Sequence, residues 1–350
     1  MNQAYSSPRS RHSPAKGITA LIFGILYAAF LLLHNLLPTR MGIALILESV
    51  LPWTGIFLAL VLLMFLIRFS WLSAIGFLVP TLVWTGMFGP ALLPNDDSSD
   101  PDLTVATHNV GARMPQPTAA AQNIVDRDPD IVSIQELESL SGKIIHKELD
   151  SSFEHSQVVD TIGVWSKWPM SEPEEVDLGL QWPRAFATTI STDHGDIRFY
   201  AVHMPSVRPG HESMRNAALR RLATTVETDG AEHVIIAGDF NTAATDNNME
   251  TLVPPLKDSR EEARGGFGFT WPSQFPVTRL DHVLYRGFDA TSDEVLNAGR
   301  VTTAPSSPGS TSSRFRTAPD VQFVHWPVCC GASSAAPASS SSAISARVSA

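Results

Sequence analysis

Cysteine and basic residues are scarce in this sequence of 350 residues. The two cysteines, Cys329 and Cys330, are adjacent and near the end, which excludes a disulfide framework and a zinc site built on paired cysteines. Lysine and arginine together number 25, against 35 aspartates and glutamates. Because contacts with nucleic-acid phosphates require clustered Lys and Arg, this balance argues against a nucleic-acid-binding protein.

Acidic residues are almost absent from the first 94 positions, which hold five basic residues and a single acid, Glu48. The rest of the chain carries the other 20 basic and 34 acidic residues, a net charge of −14. This polarity indicates an apolar block joined to an acidic soluble block. A fully cytosolic protein is therefore not expected.

The apolar block contains three long segments without a charged residue: 23 residues at 17–39, 19 residues at 49–67 and 27 residues at 69–95. A helix needs about 20 apolar residues to cross the hydrocarbon core of a membrane. The sequence therefore predicts three transmembrane helices, at roughly 17–37, 48–67 and 71–92. A cleavable signal peptide is the alternative for the first segment, but its apolar stretch is too long and two further segments follow.

The orientation in the membrane follows from the distribution of charge. Arg9, Arg11 and Lys16 precede the first span and Arg68 lies between the second and third, whereas an acidic segment follows the third. The positive-inside rule then places the N-terminus in the cytoplasm and everything after residue 95 outside the cytoplasmic membrane. The expected divisions are a cytoplasmic arm at 1–16, a three-helix transmembrane region at 17–93, a linker at 94–102, a soluble domain at 103–300 and a low-complexity tail at 301–350.

Short apolar β-type segments alternate with helical stretches after the linker, which predicts an α/β sandwich. Seven strands are predicted, at Leu103–His108, Ile131–Gln135, Gly163–Ser166, Arg184–Ile190, Ile197–His203, Val234–Gly238 and Leu280–Tyr285. Two helices are predicted, at Thr118–Asp126 and near 211–227. The second has an apolar stripe at helical spacing, formed by Met214, Leu219, Leu222 and Val226.

Polar residues occur where several of these strands end, in the segments THNVG (107–111), PDIVSIQELE (129–138), VHMPS (202–206), IIAGDFNT (235–242) and RLDHVLY (279–285). Hydrolysis of a phosphate ester requires a divalent cation, a base that activates water, and donors that stabilise developing charge. Hard oxygen ligands such as those of Asn109, Glu136 and Asp239 suit Mg²⁺. The motifs are therefore compatible with metal-dependent phosphoester chemistry.

Taken together and in this order, the motifs resemble the endonuclease/exonuclease/phosphatase superfamily over about residues 103–288. The resemblance implies a two-sheet α/β sandwich and a Mg²⁺ or Mn²⁺ ion bound by Glu136 and Asp239 with help from Asn109. It also implies that Asp239 and Asn241 position the nucleophile and the phosphate and that His203 contacts the phosphoryl group. Asp281 is expected to orient a general-base histidine.

Each of these residues also has a simpler interpretation. Glu136 could be a surface acid, His203 a buried histidine with satisfied hydrogen bonds, Asp239 and Asn241 turn residues, and Asp281 a structural acid. Arg184 could pair with an acid or contact the substrate, and both alternatives stay open. His108 is expected to pack rather than to bind a ligand. His282 points to the opposite strand face from Asp281 and is a poor replacement base.

The chain departs from the superfamily after the RLDH segment, because the Ser-Asp-His motif that supplies the general base occurs nowhere in it. The last 50 residues include 13 Ser, 9 Ala and 5 Pro, a composition that packs a core poorly. One hypothesis is a frameshift near Pro308-Gly309-Ser310, and the rival is a genuine tail in which His325 is the remaining histidine. With the end damaged in this way, the final strand of the sandwich, which normally forms just past this point, is expected to be missing, which leaves an unpaired edge.

The combination of N-terminal spans and an extracytoplasmic catalytic domain resembles the membrane phosphatases of the teicoplanin-resistance type. That resemblance implies a phosphorylated substrate at the lipid bilayer, such as a lipid-linked phosphate or diphosphate on an isoprenoid carrier. Three alternatives remain: an extracytoplasmic nuclease, a sphingomyelinase-like phosphodiesterase, and a non-catalytic membrane-tethered binding protein.

Overall fold

A computed structural model describes residues 17–36, 43–93, 101–111, 114–193, 195–206, 212–295 and 320–326. Four helices come first: α1 (Ile18–Leu33), α2 (Ile43–Ser49), α3 (Ile56–Arg68) and α4 (Trp71–Leu92). With the 3₁₀ turns that extend α1 and precede α3, three helical segments are long and apolar enough to cross a membrane, at Ile18–Leu36, Leu51–Arg68 and Trp71–Leu92. The second starts three residues later than expected, because Pro52 lacks an N–H and begins a new helical segment after α2.

Helices α1 and α4 approach each other closely through two glycines. A Cβ atom on Gly24 would lie 1.8 Å from the carbonyl oxygen of Gly76, and one on Gly76 would lie 2.4 Å from that of Ala20. Small residues that permit such backbone contact are typical of helix pairs in membranes, where burial of apolar area does not drive association. Large apolar side chains such as Leu26 remain exposed on the other faces, as expected of helices that face lipid.

The soluble part is a sandwich of two six-stranded sheets. The first sheet has the order β11-β12-β1-β2-β4-β3 and the second has the order β5-β6-β7-β8-β10-β9. The strands are β1 (Leu103–Asn109), β2 (Ile131–Gln135), β3 (His155–Val159), β4 (Ile162–Ser166), β5 (Glu174–Glu175), β6 (Ala185–Thr192), β7 (Gly195–His203), β8 (Val234–Asp239), β9 (Lys257–Asp258), β10 (Asp281–Arg286), β11 (Asp289–Val295) and β12 (Asp320–Trp326). All seven predicted strands are present, each within two residues of its expected bounds, so the predicted α/β sandwich is confirmed.

Four helices accompany the sheets: α5 (Pro117–Val125), α6 (Leu140–Asp150), α7 (Glu212–Thr228) and α8 (Ser259–Ala263). Side chains such as Val105, Phe186 and Phe199 fill the space between the sheets. Helices α5 and α6 cover the outer face of the first sheet, and α7 covers that of the second. Burial of these apolar faces is the main source of stability.

The predicted stripe on α7 is wrong at its first position. Met214 is 47% exposed, whereas Arg215 is only 1% exposed. Arg215 continues the spacing of the buried Ala218, Leu222 and Val226 along one face of the helix. The apolar side chain of Met214 was therefore a misleading signal, and a buried cation occupies the position that faces the sheet.

The expectation of a missing final strand is also wrong. Strand β12 pairs in parallel with β1, from Leu103 opposite Val321 to His108 opposite Trp326, and β11 pairs with its other side. The segment DVQFVHW favours a strand because it is rich in β-branched and aromatic residues, although it lies within a low-complexity tail. The first sheet thus includes residues beyond the expected domain boundary at 300. The rest of the tail, with Pro308-Gly309-Ser310, lies outside the described residues.

Candidate active site

Five of the predicted site residues lie where strands of the two sheets end. Asn109 is the last residue of β1 and Glu136 directly follows β2, and these strands are parallel. His203 and Asp239 are the last residues of β7 and β8, which are also parallel and hold them in register. Asp281 begins β10, which is antiparallel to β8 and pairs Asp281 with Asp239. The topology therefore brings both sets of strand ends to one end of the sandwich.

Asn109 connects the two sheets through its side-chain amide. Its Nδ2 donates to Oε1 of Glu136 at 3.2 Å and to Oδ2 of Asp239 at 2.8 Å. Its Oδ1 accepts the backbone N–H of Gly111 at 2.9 Å, which fixes the orientation of the amide. In this orientation the Nδ2 of Asn109 positions the two carboxylates, and its Oδ1 keeps a second lone pair beside the bond from Gly111.

The backbone around the carboxylates is unusual. Glu136 has φ of 63° and Asn241 has φ of 46°, both in the left-handed region that side chains other than Asn and Asp rarely adopt. Gly238 has φ of 153°, and a Cβ atom there would lie 1.9 Å from the carbonyl oxygen of Val202. The glycine of GDFN is thus required for β8 to lie beside β7. Strained residues of this kind cluster at functional sites, where the surrounding structure holds them in place.

The three carboxyl groups at this end of the sandwich all have raised pKa values. Burial raises the pKa of Asp239 to about 7, and the neighbouring charge of Glu136 adds to this rise. Burial also raises the pKa of Glu136, although the hydrogen bond from Asn109 opposes it. Burial and then the charge of Asp239 raise the pKa of Asp281 well above its usual value. A group of acids that resists ionisation in this way is favourably placed to receive a cation.

His203 and Arg184 lie in contact with each other beside the carboxyl groups of the site. Nη1 of Arg184 lies 2.8 Å from Nδ1 and 3.2 Å from Nε2 of His203. Burial, together with the charge of Arg184, lowers the pKa of His203 to about 3, so that its imidazole is neutral at neutral pH. Nε2 of His203 lies 3.8 Å from Oε1 of Glu136. Of the two alternatives for Arg184, the structure favours a place beside the site, because this guanidinium contacts a site histidine rather than pairing directly with an acid.

Asn241 and Asp281 differ in how firmly they are held. The backbone N–H of Asn241 donates to Oδ1 of Asp239 at 2.7 Å, and its Nδ2 donates to the carbonyl of Met204 at 2.9 Å. The carboxyl group of Asp281 lies beside the side chain of Thr270, and no hydrogen bond joins it to a histidine side chain in the described part of the chain. The Ser-Asp-His motif that would supply such a histidine is absent from the sequence.

His282 faces away from Asp281, as expected from strand geometry. Its Nδ1 lies 3.1 Å from Oδ2 of Asp258, and its Nε2 lies 2.8 Å from the carbonyl oxygen of Thr242. Both ring nitrogens are thus engaged in the buried network on the other face of the second sheet. His282 therefore supports the loop after β8 and does not act as the base.

Arg215 is a supporting residue that the sequence analysis missed. Its Nη1 lies 2.7 Å from Oδ2 of Asp246 and donates to Oγ1 of Thr242 at 2.9 Å. The same Nη1 donates to the backbone carbonyl of Asn241 at 3.4 Å. From its position on α7, Arg215 therefore supports the loop that contains Asn241. The available signal was its spacing with the buried residues of α7, which the neighbouring Met214 concealed.

The donor set fits a hard divalent cation. Carboxylate oxygens are the ligands that Mg²⁺ prefers, and Glu136 and Asp239 are held together by one amide. Among the residues that the structure describes, no cluster of three His, Cys, Asp or Glu side chains forms a complete metal site. This also suits Mg²⁺, which keeps several water ligands and takes few protein carboxylates.

The sequence matches the model of the Endonuclease/Exonuclease/phosphatase family over residues 106–302. The uncharacterized protein YbhP of Escherichia coli K12 is 29% identical over 136 residues, which are 38% of this chain and 54% of that protein. The same protein of Shigella flexneri matches equally well. The chain thus spans about half the length of these curated relatives.

Solved structures with a similar fold include a humanized D. rerio TDP2, at 18% identity and a TM-score of 0.44, covering 52% of this chain and 82% of that one. Sphingomyelinase C from Streptomyces griseocarneus is 15% identical, with a TM-score of 0.42 and the same two coverages. Because the family model matches more than half of its residues, the chain belongs to the endonuclease/exonuclease/phosphatase family.

Proposed function

We propose that this chain is a membrane-anchored, Mg²⁺-dependent phosphoesterase that hydrolyses a phosphate ester or diphosphate of a lipid-linked substrate outside the cytoplasmic membrane. Members of the family are hydrolases that act on phosphoester bonds. The observation that carries the proposal is the convergence of Asn109, Glu136, His203 and Asp239 at the ends of four strands. Raised pKa values at three neighbouring carboxyl groups, two of them buried, are typical of functional sites.

Glu136 and Asp239 would hold the metal ion, Mg²⁺ or Mn²⁺, with Asn109 fixing both carboxylates. The bound ion would neutralise charge on the phosphoryl oxygens and act as a Lewis acid. In the absence of the ion, burial makes both carboxyl groups retain protons more tightly than usual, and the charge of Glu136 adds to this effect at Asp239. Binding of a divalent cation is therefore expected to release protons near neutral pH.

His203 and Arg184 would contact the phosphoryl group from the other side. A neutral imidazole and a guanidinium offer donors to the phosphoryl oxygens without adding negative charge. Asn241 would position the phosphate together with Asp239, because its backbone N–H is tied to that carboxylate. Asp281 would orient a general-base histidine that the described residues do not include, so the turnover of the chain depends on which group takes that role.

The membrane placement rests on the three apolar helices and on the charge distribution. With the basic N-terminal arm in the cytoplasm, an odd number of crossings would put the soluble domain outside. Contacts between the spans and the domain, such as the hydrogen bond from Nε1 of Trp53 to the carbonyl of Val277 at 2.8 Å, would hold the site near the bilayer surface. This location favours a phosphate that is itself attached to a lipid.

The test is hydrolysis by the purified full chain, with Mg²⁺ and with a chelator, of three substrates. An isoprenoid diphosphate is followed by phosphate release, a sphingomyelin by phosphocholine release, and a single-stranded DNA by the length of its strands. We expect Mg²⁺-dependent release from the isoprenoid diphosphate, and loss of that release in Glu136→Gln. Glu154→Gln is the matched control, because it removes the same charge at an exposed position. Hydrolysis of DNA or sphingomyelin alone would replace the proposed substrate, and hydrolysis that persists in Glu136→Gln would remove the assignment of the metal site.

A further inference from the structure

A cavity of about 450 Å³ lies between the membrane helices and the soluble domain. Its wall on the membrane side is mostly apolar and consists of Ser49, Pro52, Met87, Phe88, Pro90 and Ala91. Its wall on the domain side includes the apolar residues of two loops, Ala243–Thr245 and Gly266–Phe269. The volume lies within the range of small-molecule binding sites, roughly 300–1,000 Å³.

Direct contacts around the cavity fix its two walls relative to each other. The backbone N–H of Gly266 donates to the carbonyl of Ala91 at 2.7 Å. The ring of Trp53 stacks on that of Phe269 with centroids 5.6 Å apart, and Phe88 meets Phe267 edge to face at 6.2 Å. The cavity is therefore a built feature of the boundary and not a gap between loosely associated parts.

The cavity shares two segments with the carboxylate site. Ala243–Thr245 directly follow the loop that contains Asn241, and Thr278 and Arg279 shortly precede Asp281 on the way into β10. A molecule that occupies the cavity would therefore lie against the same loops that position the phosphoryl group. The apolar end of α4 would lie on its opposite side.

The two arginines of the lining are already paired. Arg279 forms a bidentate pair with Asp258 at 2.7 and 3.0 Å, and Arg260 pairs with Asp293 at 3.2 Å. Glu261 and Glu262 add negative charge to the same wall. An anionic headgroup would gain no free cation there and would be repelled, so the cavity suits the uncharged part of a ligand better than its phosphate.

We propose that this cavity binds the hydrocarbon chain of the substrate, at the end of the chain nearest to the phosphate. The ligand is a prenyl chain that enters from the bilayer between the spans and the domain. The inference rests on the proposed function, because the phosphate of the same molecule would be held by Glu136, Asp239 and the bound ion. Recognition of the chain would then distinguish a membrane-resident phosphate from a water-soluble phosphate ester.

The test uses the full chain in phosphatidylcholine nanodiscs and a farnesyl diphosphate analogue with a photoreactive diazirine on its chain. We expect labelling of the segments that line the cavity, and competition by unlabelled farnesyl diphosphate. Ala91→Phe fills the cavity from the membrane side and Ala244→Leu from the domain side, and each is expected to reduce labelling about tenfold or more. Ala59→Phe is the matched control, because Ala59 is exposed on α3 and does not line the cavity.

Labelling outside the cavity, or labelling that is unchanged in both filling variants, would overturn the inference. Equal labelling of the same segments by a diazirine phosphatidylcholine would show that bulk lipid fills the space, and this also contradicts it. Phosphate release measured in parallel separates the two proposals. Cavity labelling without hydrolysis contradicts the proposed function alone, and hydrolysis without cavity labelling contradicts the chain site alone.

Discussion

Asp239→Asn is expected to stabilise the metal-free protein above neutral pH while it abolishes activity. In the folded protein the pKa of Asp239 is about 7, against an ordinary value of 3.8. For an acid with a raised folded pKa, the stabilising contribution is fully present below the ordinary pKa and is lost as the pH rises through the folded pKa. Above pH 7 the wild-type protein therefore carries a buried charge that the asparagine variant lacks.

The magnitude follows from two opposing effects. A rise of about three pKa units corresponds to roughly 4 kcal/mol of destabilisation once Asp239 is ionised. An asparagine at this position has one acceptor oxygen for two donors, the N–H of Asn241 and the Nδ2 of Asn109, which costs about 1–3 kcal/mol. The variant is thus expected to be more stable than the wild type by about 1–3 kcal/mol at alkaline pH.

The assay is thermal unfolding of both proteins in detergent with a chelator, at about pH 8 and about pH 5. At the lower pH the wild-type carboxyl is protonated in the folded state, so the advantage of Asp239→Asn is expected to shrink to nothing or reverse. Asp196→Asn, at an exposed carboxylate, serves as the control and is expected to change neither curve. A variant that is less stable than the wild type at both pH values, or a difference that does not change with pH, would refute the reasoning.

Three further outcomes are expected. Arg215→Met leaves Asp246 buried and unpaired, which lowers the free energy of unfolding by about 3–5 kcal/mol. Adding Asp246→Asn is expected to recover part of this loss. Equal stability of the wild type and Arg215→Met would contradict the role of the pair. A reporter that is active only in the cytoplasm is expected to be silent when fused after residue 300, and an active fusion would disprove the orientation. A chain with a Ser-Asp-His segment restored after Gly309 is expected to turn over at least about a hundredfold faster, since general-base catalysis contributes roughly 10²–10⁴-fold. Equal rates would instead indicate that another group acts as the base.

The strands of the sandwich core were predictable because each has its own local signal. Segments such as Val234–Gly238 and Ile197–His203 are rich in β-branched or aromatic residues and end in turn-forming or polar residues. Strand β3 was not predicted, because its alternate positions are exposed and its sequence HSQVV is largely polar. Strand β12 was not predicted either, because its pairing with β1 joins residues more than two hundred positions apart and its flanking sequence indicates a tail.

The candidate site was predictable in its residues but not in its arrangement. Glu136 and Asp239 were predicted at strand ends, but β2 and β8 belong to different sheets, so the strand ends alone did not indicate that the two carboxylates would lie together. The roles of Asn109 as a bridge between two sheets and of Arg215 as a support depend on contacts between distant elements. Such contacts follow from the packing of the sheets and have no periodic pattern in the sequence.

The central claim is that Glu136 and Asp239 form a divalent metal centre, and binding of Mn²⁺ followed by electron paramagnetic resonance tests it most directly. The full chain in detergent is titrated with Mn²⁺, with competition by Mg²⁺, alongside Glu136→Gln and the exposed control Glu154→Gln. We expect a saturable site in the wild type and in Glu154→Gln that Mg²⁺ displaces and that is lost in Glu136→Gln. Absence of saturable binding in the wild type, or binding that is unchanged in Glu136→Gln, would contradict the account.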